Sequence, residues 1–295
     1  MFEFIKSICI AIRPKTLAAS ISPVAVGSSL AFKYGTFNYN IFLFTICSAV
    51  FIQIGTNFAN DVYDYIKGAD NDNRLGPTRV VQAHLISIKK MKILTAIAFL
   101  LAILFGFPLV LEGGIPILVI GLISIISGYA YTAGPYPLGY NGWGDFFVFC
   151  FFGPIAVCGT YFLQNQSISL PSVYSGIIMG CLSVLLLCIN NLRDVETDKE
   201  AGKRTLAVRV GSGFVQAMFI LLVLSSYFLN YYLAFYLSII DKNLFYLLII
   251  ETVPFFFIIS FNIYTLTGKH LNPVLGRVAF FIILYSGLFI ASILA

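Results

Sequence analysis

Two acid-rich stretches, 57–79 and 190–209, interrupt a chain that is otherwise mostly apolar. In the first stretch, Asn57, Asp61 and Asp64 are spaced i, i+4 and i+7. On an α-helix this spacing places all three side chains on one face. The sequence therefore predicts a carboxylate-bearing face at the end of a helix.

The second stretch repeats the arrangement, because Asn190, Asp194 and Asp198 are spaced i, i+4 and i+8. Mg²⁺ prefers octahedral oxygen ligands, commonly one or two carboxylates with substrate phosphates and water completing the shell. Two such faces across a cavity predict a site that holds a diphosphate through Mg²⁺. The expected metal ligands and catalytic residues are Asp61, Asp64, Asp194 and Asp198.

Basic and amide side chains surround both acid clusters. Lys and Arg side chains neutralise the remaining charge of a bound diphosphate, and the basic residues of the two stretches include Lys67, Arg74, Arg79, Lys203 and Arg204. Asn57 and Asn190 are expected either to orient a carboxylate and contact phosphate or to cap a helix end. Asp70 and Asp72 are expected to be secondary, as solvated loop residues.

The composition indicates an integral membrane protein. The chain has 295 residues, of which 59% are hydrophobic and 11% charged, whereas soluble domains are about 45–50% apolar and about 25% charged. The six cysteines show no C-x-x-C spacing and the two histidines lie far apart, so no zinc or iron site is indicated. We expect membrane lipid around the protein and no nucleic acid, and the oligomeric state stays open.

Apolar runs long enough to cross a bilayer, roughly 20 residues, predict an all-α fold with nine transmembrane helices around a central cavity. The predicted spans are 16–32, 40–57, 93–111, 115–133, 145–163, 173–191, 213–239, 244–266 and 274–294. They form a single domain, 1–295, in which the loops at about 57–92 and 190–212 carry the acidic residues. The first apolar segment is expected to be a retained helix and not a cleaved signal.

The distribution of basic residues sets the orientation. With a cytoplasmic N-terminus, sixteen of the eighteen Lys and Arg residues fall on the cytoplasmic side, and only Lys33 and Lys242 fall outside. This asymmetry follows the positive-inside rule. It predicts an external C-terminus and an active site that faces the cytoplasm, in a multi-pass protein of the cell (inner) membrane.

The motifs resemble those of the UbiA superfamily of intramembrane aromatic prenyltransferases, which read N-x-x-x-D-x-x-x-D and D-x-x-x-D. Asn57 and Asp61 begin the first motif, but Tyr65 takes its third position and the next acid is Asp64. This departure, with the following KGAD and RLGPTRVVQ, is similar to the branch (MenA-type) that prenylates 1,4-dihydroxy-2-naphthoate. The second motif is met after residue 190, and RPKTLAASISPVAVGSSLA (13–31) and YTAGPYPLGYNGWGD (131–145) add to the resemblance.

The resemblance implies a Mg²⁺-dependent enzyme of menaquinone synthesis. It would transfer a polyprenyl or phytyl group from its diphosphate to 1,4-dihydroxy-2-naphthoate, with loss of CO₂ and pyrophosphate, giving demethylmenaquinol or demethylphylloquinol. Arg13 and Lys15 would receive the acceptor's carboxylate or a phosphate, or else anchor the chain at the membrane surface. Tyr131, Tyr140 and Asp145 would shape the acceptor pocket, or the tyrosines would serve as interfacial anchors.

Two alternatives are weighed against this interpretation. Within the same superfamily the acceptor is instead 1,4-dihydroxy-6-naphthoate, 4-hydroxybenzoate or homogentisate. A secondary transporter is the alternative of another class, and it predicts ionisable groups near the bilayer midplane. Only Glu251 lies inside a predicted span in that way, so the clustering of acids at one membrane face favours an enzyme.

Overall fold

The computed structural model describes residues 2–71 and 74–295, so Asp72 lies outside the described residues. Within these ranges every regular element is helical. The helices are α1 (Phe2–Ile12), α2 (Pro14–Lys33), α3 (Tyr39–Ile66), α4 (Ile88–Ala130), α5 (Gly144–Cys150), α6 (Ala156–Asn165), α7 (Leu170–Arg193), α8 (Val195–Glu200), α9 (Leu206–Val210), α10 (Ser212–Phe235), α11 (Lys242–Thr265) and α12 (Asn272–Leu294). A π-helical turn, Phe151–Ile155, joins α5 to α6, and short 3₁₀ turns span Leu138–Tyr140 and Gly268–Leu271.

Polar side chains define where the long helices begin. The Asn38 side chain accepts hydrogen bonds from the N–H groups of Asn40 and Ile41 at the start of α3. Ser169 and Ser172 form a reciprocal capping box at the start of α7. Such caps satisfy N–H groups that have no partner inside the helix, which matters most in a protein whose helix ends meet the membrane surface.

The helices make the chain a multi-pass membrane protein. Among the described residues, seven helical segments are long and apolar enough to cross a membrane, or eight if α1 and α2, bent by 49° at Arg13, count as one span. The α4 helix, 43 residues long, covers two predicted spans and is interrupted at Gly114, where φ is 65°. Glycine adopts this backbone conformation without steric cost.

Helix α7 is the central element of the bundle, because 78% of the residues in its most apolar stretch are buried inside the protein. The α5–α6 segment crosses it in direct backbone contact. A Cβ atom on Gly153 would lie 2.6 Å from the carbonyl oxygen of Gly176 and 2.5 Å from the Cα of Gly180. Small residues allow membrane helices to approach this closely, so these glycines fix the wall that α5–α6 and α7 form together.

The two acid-rich stretches meet at one end of the bundle, because α3 and α7 both end there. Asp61 and Asp64 lie on α3, as expected from their spacing. The single helical face expected from the spacing of Asn190, Asp194 and Asp198 is not formed, since α7 ends at Arg193 and the helix is interrupted at Asp194 before α8. The polar end is therefore assembled from a helix end, a break and the loops that follow.

Candidate active site

A large cavity of about 1100 Å³ lies inside the bundle, walled mainly by α2, α3, α4, α6 and α7. Most of the residues predicted for the site line this cavity: Arg13, Lys15, Asn57, Asp64, Arg74, Arg79, Tyr131, Tyr140, Asn190, Asp194, Asp198 and Lys203. Four predicted residues, Asp61, Lys67, Asp145 and Arg204, are not part of its wall.

Asp64 is the most heavily contacted carboxylate of the cavity. Its Oδ1 accepts a hydrogen bond from the Tyr140 hydroxyl at 2.8 Å and lies 3.3 Å from Nζ of Lys203. Its Oδ2 accepts one from Nη2 of Arg79 at 3.2 Å. The side chain is 4% exposed, and such buried charges persist only where they are paired and hydrogen-bonded. Asp64 thus joins residues of three separate segments.

Lys203 connects the two acid-rich stretches. Its Nζ lies between Asp64 and Asp198, 3.8 Å from the Asp198 carboxylate, and 4.7 Å from the centre of the Tyr140 ring. Burial alone would lower the pKa of Lys203, but the surrounding carboxylates raise it above its usual value. Lys203 is therefore a permanent cation at the junction of the two clusters.

Asp194 is held by a residue that the sequence analysis did not select. Arg193 donates two hydrogen bonds to its carboxylate, at 2.8 and 2.6 Å, and a third to Oδ1 of Asn272 at 3.1 Å. Asn272 in turn donates to the carbonyl oxygen of Leu75 at 2.8 Å. Arg193 directly precedes a predicted metal ligand, so its position in the sequence gave a weak indication of a role in the site. Asn272 lies far away in the C-terminal segment, and nothing in the sequence indicated such a role for it.

Two acidic side chains at this end of the bundle have raised pKa values, mainly because they are buried. Burial, together with the Asp64 carboxylate, raises the pKa of Asp70 to about 7, although Asp70 is paired with Arg74 and, at 3.0 Å, with Nε of Arg79. Burial likewise raises the pKa of Asp198 to about 6, against the lowering effect of Lys203. Burial therefore disfavours the charged form of both carboxylates, and a bound cation would favour it.

The four predicted residues outside the wall have other contacts. Asp61 accepts hydrogen bonds from backbone N–H groups in the loop after α3. Lys67 donates to the carbonyl oxygen of Gly134 at 3.2 Å. Arg204 is exposed, and its backbone N–H donates to the Tyr140 carbonyl at 2.7 Å. Asp145 has one buried carboxylate oxygen without a hydrogen-bond partner among the described residues.

The N-terminal bend is tied to α3 at the cavity mouth. The Asn57 amide donates to the Ile12 carbonyl at 2.8 Å and to the Thr16 hydroxyl at 3.1 Å. Nη2 of Arg13 donates to the backbone oxygen of Asn57 at 3.4 Å. The side chain of Asn57 therefore holds the α1–α2 bend, and through it Arg13 and Lys15, against the wall.

A further amide, missed at the sequence level, faces the same cavity. Oδ1 of Asn60 accepts a hydrogen bond from the Thr132 hydroxyl at 2.9 Å, and both residues line the cavity. Asn57 and Asn60 lie on neighbouring turns, and both line the cavity and bond to another segment, so spacing alone did not single out Asn60.

Tyr131 depends on two glycines for its position. A Cβ atom on Gly139 would lie 2.8 Å from Cε1 of Tyr131, and one on Gly144 would lie 2.7 Å from its hydroxyl. Burial and nearby carboxylates raise the pKa of Tyr131, so the phenol stays neutral. It presents a polar hydroxyl and an aromatic ring to the cavity.

Away from its polar end the cavity is largely apolar, and it is open at one side. Ile103, Phe107, Leu118 and Leu122, from the two limbs of α4 before and after Gly114, line the cavity while remaining 43–61% exposed. Exposed apolar side chains of this kind face lipid in a membrane protein. The geometry joins a charged end to an apolar space that continues toward the bilayer.

The carboxylates suit a metal ion that is shared with a substrate. Within the described residues, no three His, Cys, Asp or Glu side chains lie close enough together to hold a metal by themselves. Mg²⁺ characteristically binds one or two carboxylates and takes its other ligands from substrate phosphates and water. Asp64, Asp194 and Asp198 offer hard oxygen atoms of this kind at one end of the cavity, and so fit Mg²⁺.

Comparison with known proteins agrees with this geometry. Residues 20–291 match the UbiA prenyltransferase family. The chain is 38% identical over 208 residues to a 1,4-dihydroxy-2-naphthoate octaprenyltransferase of Haemophilus influenzae, covering 68% of each chain. It is 30% identical over 227 residues to a 2-carboxy-1,4-naphthoquinone phytyltransferase of Synechocystis, covering 75% of this chain and 71% of that one.

A solved structure shares the fold. It is a UbiA homolog from Archaeoglobus fulgidus bound to DMAPP and Mg²⁺, which superposes with a TM-score of 0.69 at 17% identity and covers 97% of this chain and 99% of that chain. At this identity the likeness concerns the fold alone, whereas the family match covers nearly the whole sequence. The cavity, its acidic motifs and these similarities together show that the chain belongs to the UbiA prenyltransferase family.

Proposed function

We propose that this chain transfers a prenyl group from its diphosphate to 1,4-dihydroxy-2-naphthoate, with release of pyrophosphate and CO₂. One relative named above is a 1,4-dihydroxy-2-naphthoate octaprenyltransferase, and the other is a phytyltransferase of 2-carboxy-1,4-naphthoquinone. The product is accordingly demethylmenaquinol or demethylphylloquinol. The observation that carries the proposal is Lys203, whose ammonium joins both acidic motifs at the charged end of an otherwise apolar cavity.

The charged end fits the donor's diphosphate. Asp64, Asp194 and Asp198 would hold Mg²⁺, which when bound neutralises the diphosphate and stabilises the charge that grows on the leaving pyrophosphate. Lys203 and Arg79 contact Asp64 in the structure, and together with Arg74 they are within the same wall. These cations would stabilise the departing group more than the bound substrate, which lowers the barrier.

The rest of the cavity fits the prenyl chain. As the C–O bond to the diphosphate breaks, the allylic carbon becomes electron-deficient and must be kept from water. Phe147, Phe151 and Phe152 line the wall beside the charged end, and aromatic rings stabilise a nearby cation. The side opening between the limbs of α4 gives the remaining length of the chain a path into the bilayer.

The acceptor would enter beside the α1–α2 bend. Arg13 and Lys15 lie on the cavity wall there and are proposed to bind its carboxylate, while Tyr131 and Tyr140 shape the adjoining space. The ring carbon that carries the carboxylate forms the new C–C bond. Loss of CO₂ then returns the electron pair to the ring and restores the aromatic quinol.

We further propose nine membrane spans in one domain, 1–295, in the cytoplasmic (inner) membrane. An unbroken 43-residue helix would be about 65 Å long, roughly twice the hydrocarbon thickness of a bilayer. The left-handed Gly114 supports two spans within α4. With the N-terminus inside and the C-terminus outside, the basic residues follow the positive-inside rule and the active site faces the cytoplasm.

The test uses purified protein in detergent with 1,4-dihydroxy-2-naphthoate and geranylgeranyl or phytyl diphosphate, with and without Mg²⁺. Prenylated quinol, pyrophosphate and CO₂ are measured together and should appear in equal amounts. Asp64→Asn and Asp194→Asn should abolish turnover. Asp241→Asn is the matched control, because Asp241 caps α11 at the other end of the bundle and asparagine is an equally good cap.

Three results would contradict the proposal. If pyrophosphate appears only with a different aromatic acceptor, the proposed prenyl transfer is supported, but 1,4-dihydroxy-2-naphthoate is the wrong acceptor. If folded protein turns over no acceptor, or if Asp64→Asn keeps full activity, the assigned site does not perform prenyl transfer.

A further inference from the structure

Asp61 has a different environment from the other acidic residues of its motif. It is 1% exposed and is not part of the cavity wall. Its Oδ1 accepts a hydrogen bond from the N–H of Val81 at 2.8 Å, and its Oδ2 accepts one from the N–H of Val80 at 3.3 Å. Both carboxylate oxygens are thus engaged by the backbone of the loop that joins α3 to α4.

The loop held in this way is a compact turn. The N–H of Ala83 donates to the Arg79 carbonyl at 2.9 Å, and the N–H of Leu85 donates to the Val80 carbonyl at 2.9 Å. The Val80 and Val81 side chains are buried, at 0% and 2% exposure, in a cluster with apolar residues of α3 and α4. The two N–H groups bonded to Asp61 open this turn, and without the carboxylate they would be buried donors lacking a partner.

Arg79 immediately precedes these two residues. Its Nη2 lies 3.2 Å from Oδ2 of Asp64, and its Nε lies 3.0 Å from Oδ2 of Asp70. Arg79 also lines the cavity. The Asp61 carboxylate fixes the backbone at Val80 and Val81, the two residues that follow Arg79. It therefore also fixes the position of the Arg79 backbone, which determines the groups that the guanidinium can reach.

We infer that Asp61 is a positioning residue, which holds Arg79 in place over Asp64 and Asp70, and that it is not a metal ligand. Its carboxylate acts through the Val80 and Val81 N–H groups and is not part of the cavity wall. The consequence for diphosphate binding, which Arg79 carries, rests on the proposed function. The anchoring itself does not.

The first test measures the anchor and the metal without turnover. Hydrogen–deuterium exchange of peptides covering 79–87 should become about tenfold or more faster in Asp61→Asn, because the amide offers one acceptor oxygen in place of two. Asp64→Asn is the matched control and should leave these peptides unchanged. Mn²⁺ binding to the purified protein, followed by electron paramagnetic resonance, should persist in Asp61→Asn and weaken about tenfold or more in Asp64→Asn.

The second test asks whether Asp61 acts through Arg79. In a double-mutant cycle, Asp61→Asn combined with Arg79→Ala should have the same KM for the prenyl diphosphate as Arg79→Ala alone, because the positioned group is already absent. The Mg²⁺ concentration for half-maximal activity should match that of the wild type in Asp61→Asn. If Asp61→Asn does not fold, Asp61→Ser, which keeps one acceptor oxygen, replaces it in every measurement.

Three results would overturn the inference: unchanged exchange in 79–87, loss of Mn²⁺ binding in Asp61→Asn, or losses that add in the double variant. The inference about Asp61 can be tested independently of the proposed function. Wild-type protein that binds Mn²⁺ but transfers no prenyl group would refute the function, while the exchange and Mn²⁺ results would still decide the role of Asp61.

Discussion

Replacing Lys203 by methionine tests the centre of the site most directly. Lys203 lies 3.3 Å from Asp64 and 3.8 Å from Asp198, so its ammonium is within reach of any phosphate bound between the two motifs. Methionine keeps most of the length of the side chain and removes its charge. Asp64 would keep its contacts with Arg79 and Tyr140, so the fold should persist.

The expected size of the effect follows from the lost contact. A hydrogen bond to a charged group contributes about 1.5–3 kcal/mol, and each 1.4 kcal/mol is about tenfold in a rate or equilibrium constant. Lys203→Met should therefore lower kcat/KM for the prenyl diphosphate roughly tenfold to a hundredfold. Because negative charge grows on the leaving group during the reaction, most of the loss should be in kcat and less of it in KM.

The assay is steady-state release of pyrophosphate in detergent at saturating 1,4-dihydroxy-2-naphthoate. Lys67→Met is the matched control, because Lys67 also lies over the Tyr140 ring, at 5.0 Å, but is not part of the cavity wall. Its loss should change kcat/KM by about fivefold or less, as for partly exposed charges. Equal effects of the two substitutions, or a Lys203→Met enzyme with wild-type kcat/KM, would refute the assignment of Lys203 to the diphosphate.

Three further outcomes are expected. Gly153→Ala should lower the melting temperature in detergent by several degrees, since overpacking costs about 1–3 kcal/mol and the new Cβ would meet the backbone of α7 at 2.5–2.7 Å. Gly287→Ala should not, because among the described residues no atom of a neighbouring element lies within 4 Å of its Cβ, and equal shifts would contradict the packing. Tyr140→Phe removes the hydrogen bond to Asp64 but keeps the ring beside both lysines, so kcat/KM should fall about tenfold, and a larger fall in Tyr140→Leu would show that the ring also contributes. Chelation with EDTA should stop turnover, and Mg²⁺ should restore it; turnover that persists would exclude the metal.

Most of the architecture could be predicted from the sequence, because the bilayer imposes a simple physical rule. A segment that crosses it must be helical to satisfy its own backbone groups and apolar along roughly 20 residues. The helices of the structure overlie the predicted apolar runs for this reason. The single helical face expected for Asn190, Asp194 and Asp198 is not formed, because the helix is interrupted at Asp194. Arg193 contacts both Asp194 and Asn272 at this point, and sequence spacing does not register such contacts.

Within the acidic motif, the sequence determined the chemistry of the side chains, and the tertiary structure determined which of them line the cavity. Residue types and spacing were sufficient to indicate oxygen ligands for a metal and cations for a diphosphate, because that chemistry requires those side chains. Asp61 and Asp64 are three residues apart, about 60° around a helix with 3.6 residues per turn, so the pattern treated them as equivalent. Only the packing of the loop after α3 distinguishes them. Asp61 accepts hydrogen bonds from the Val80 and Val81 N–H groups, whereas Asp64 lines the cavity.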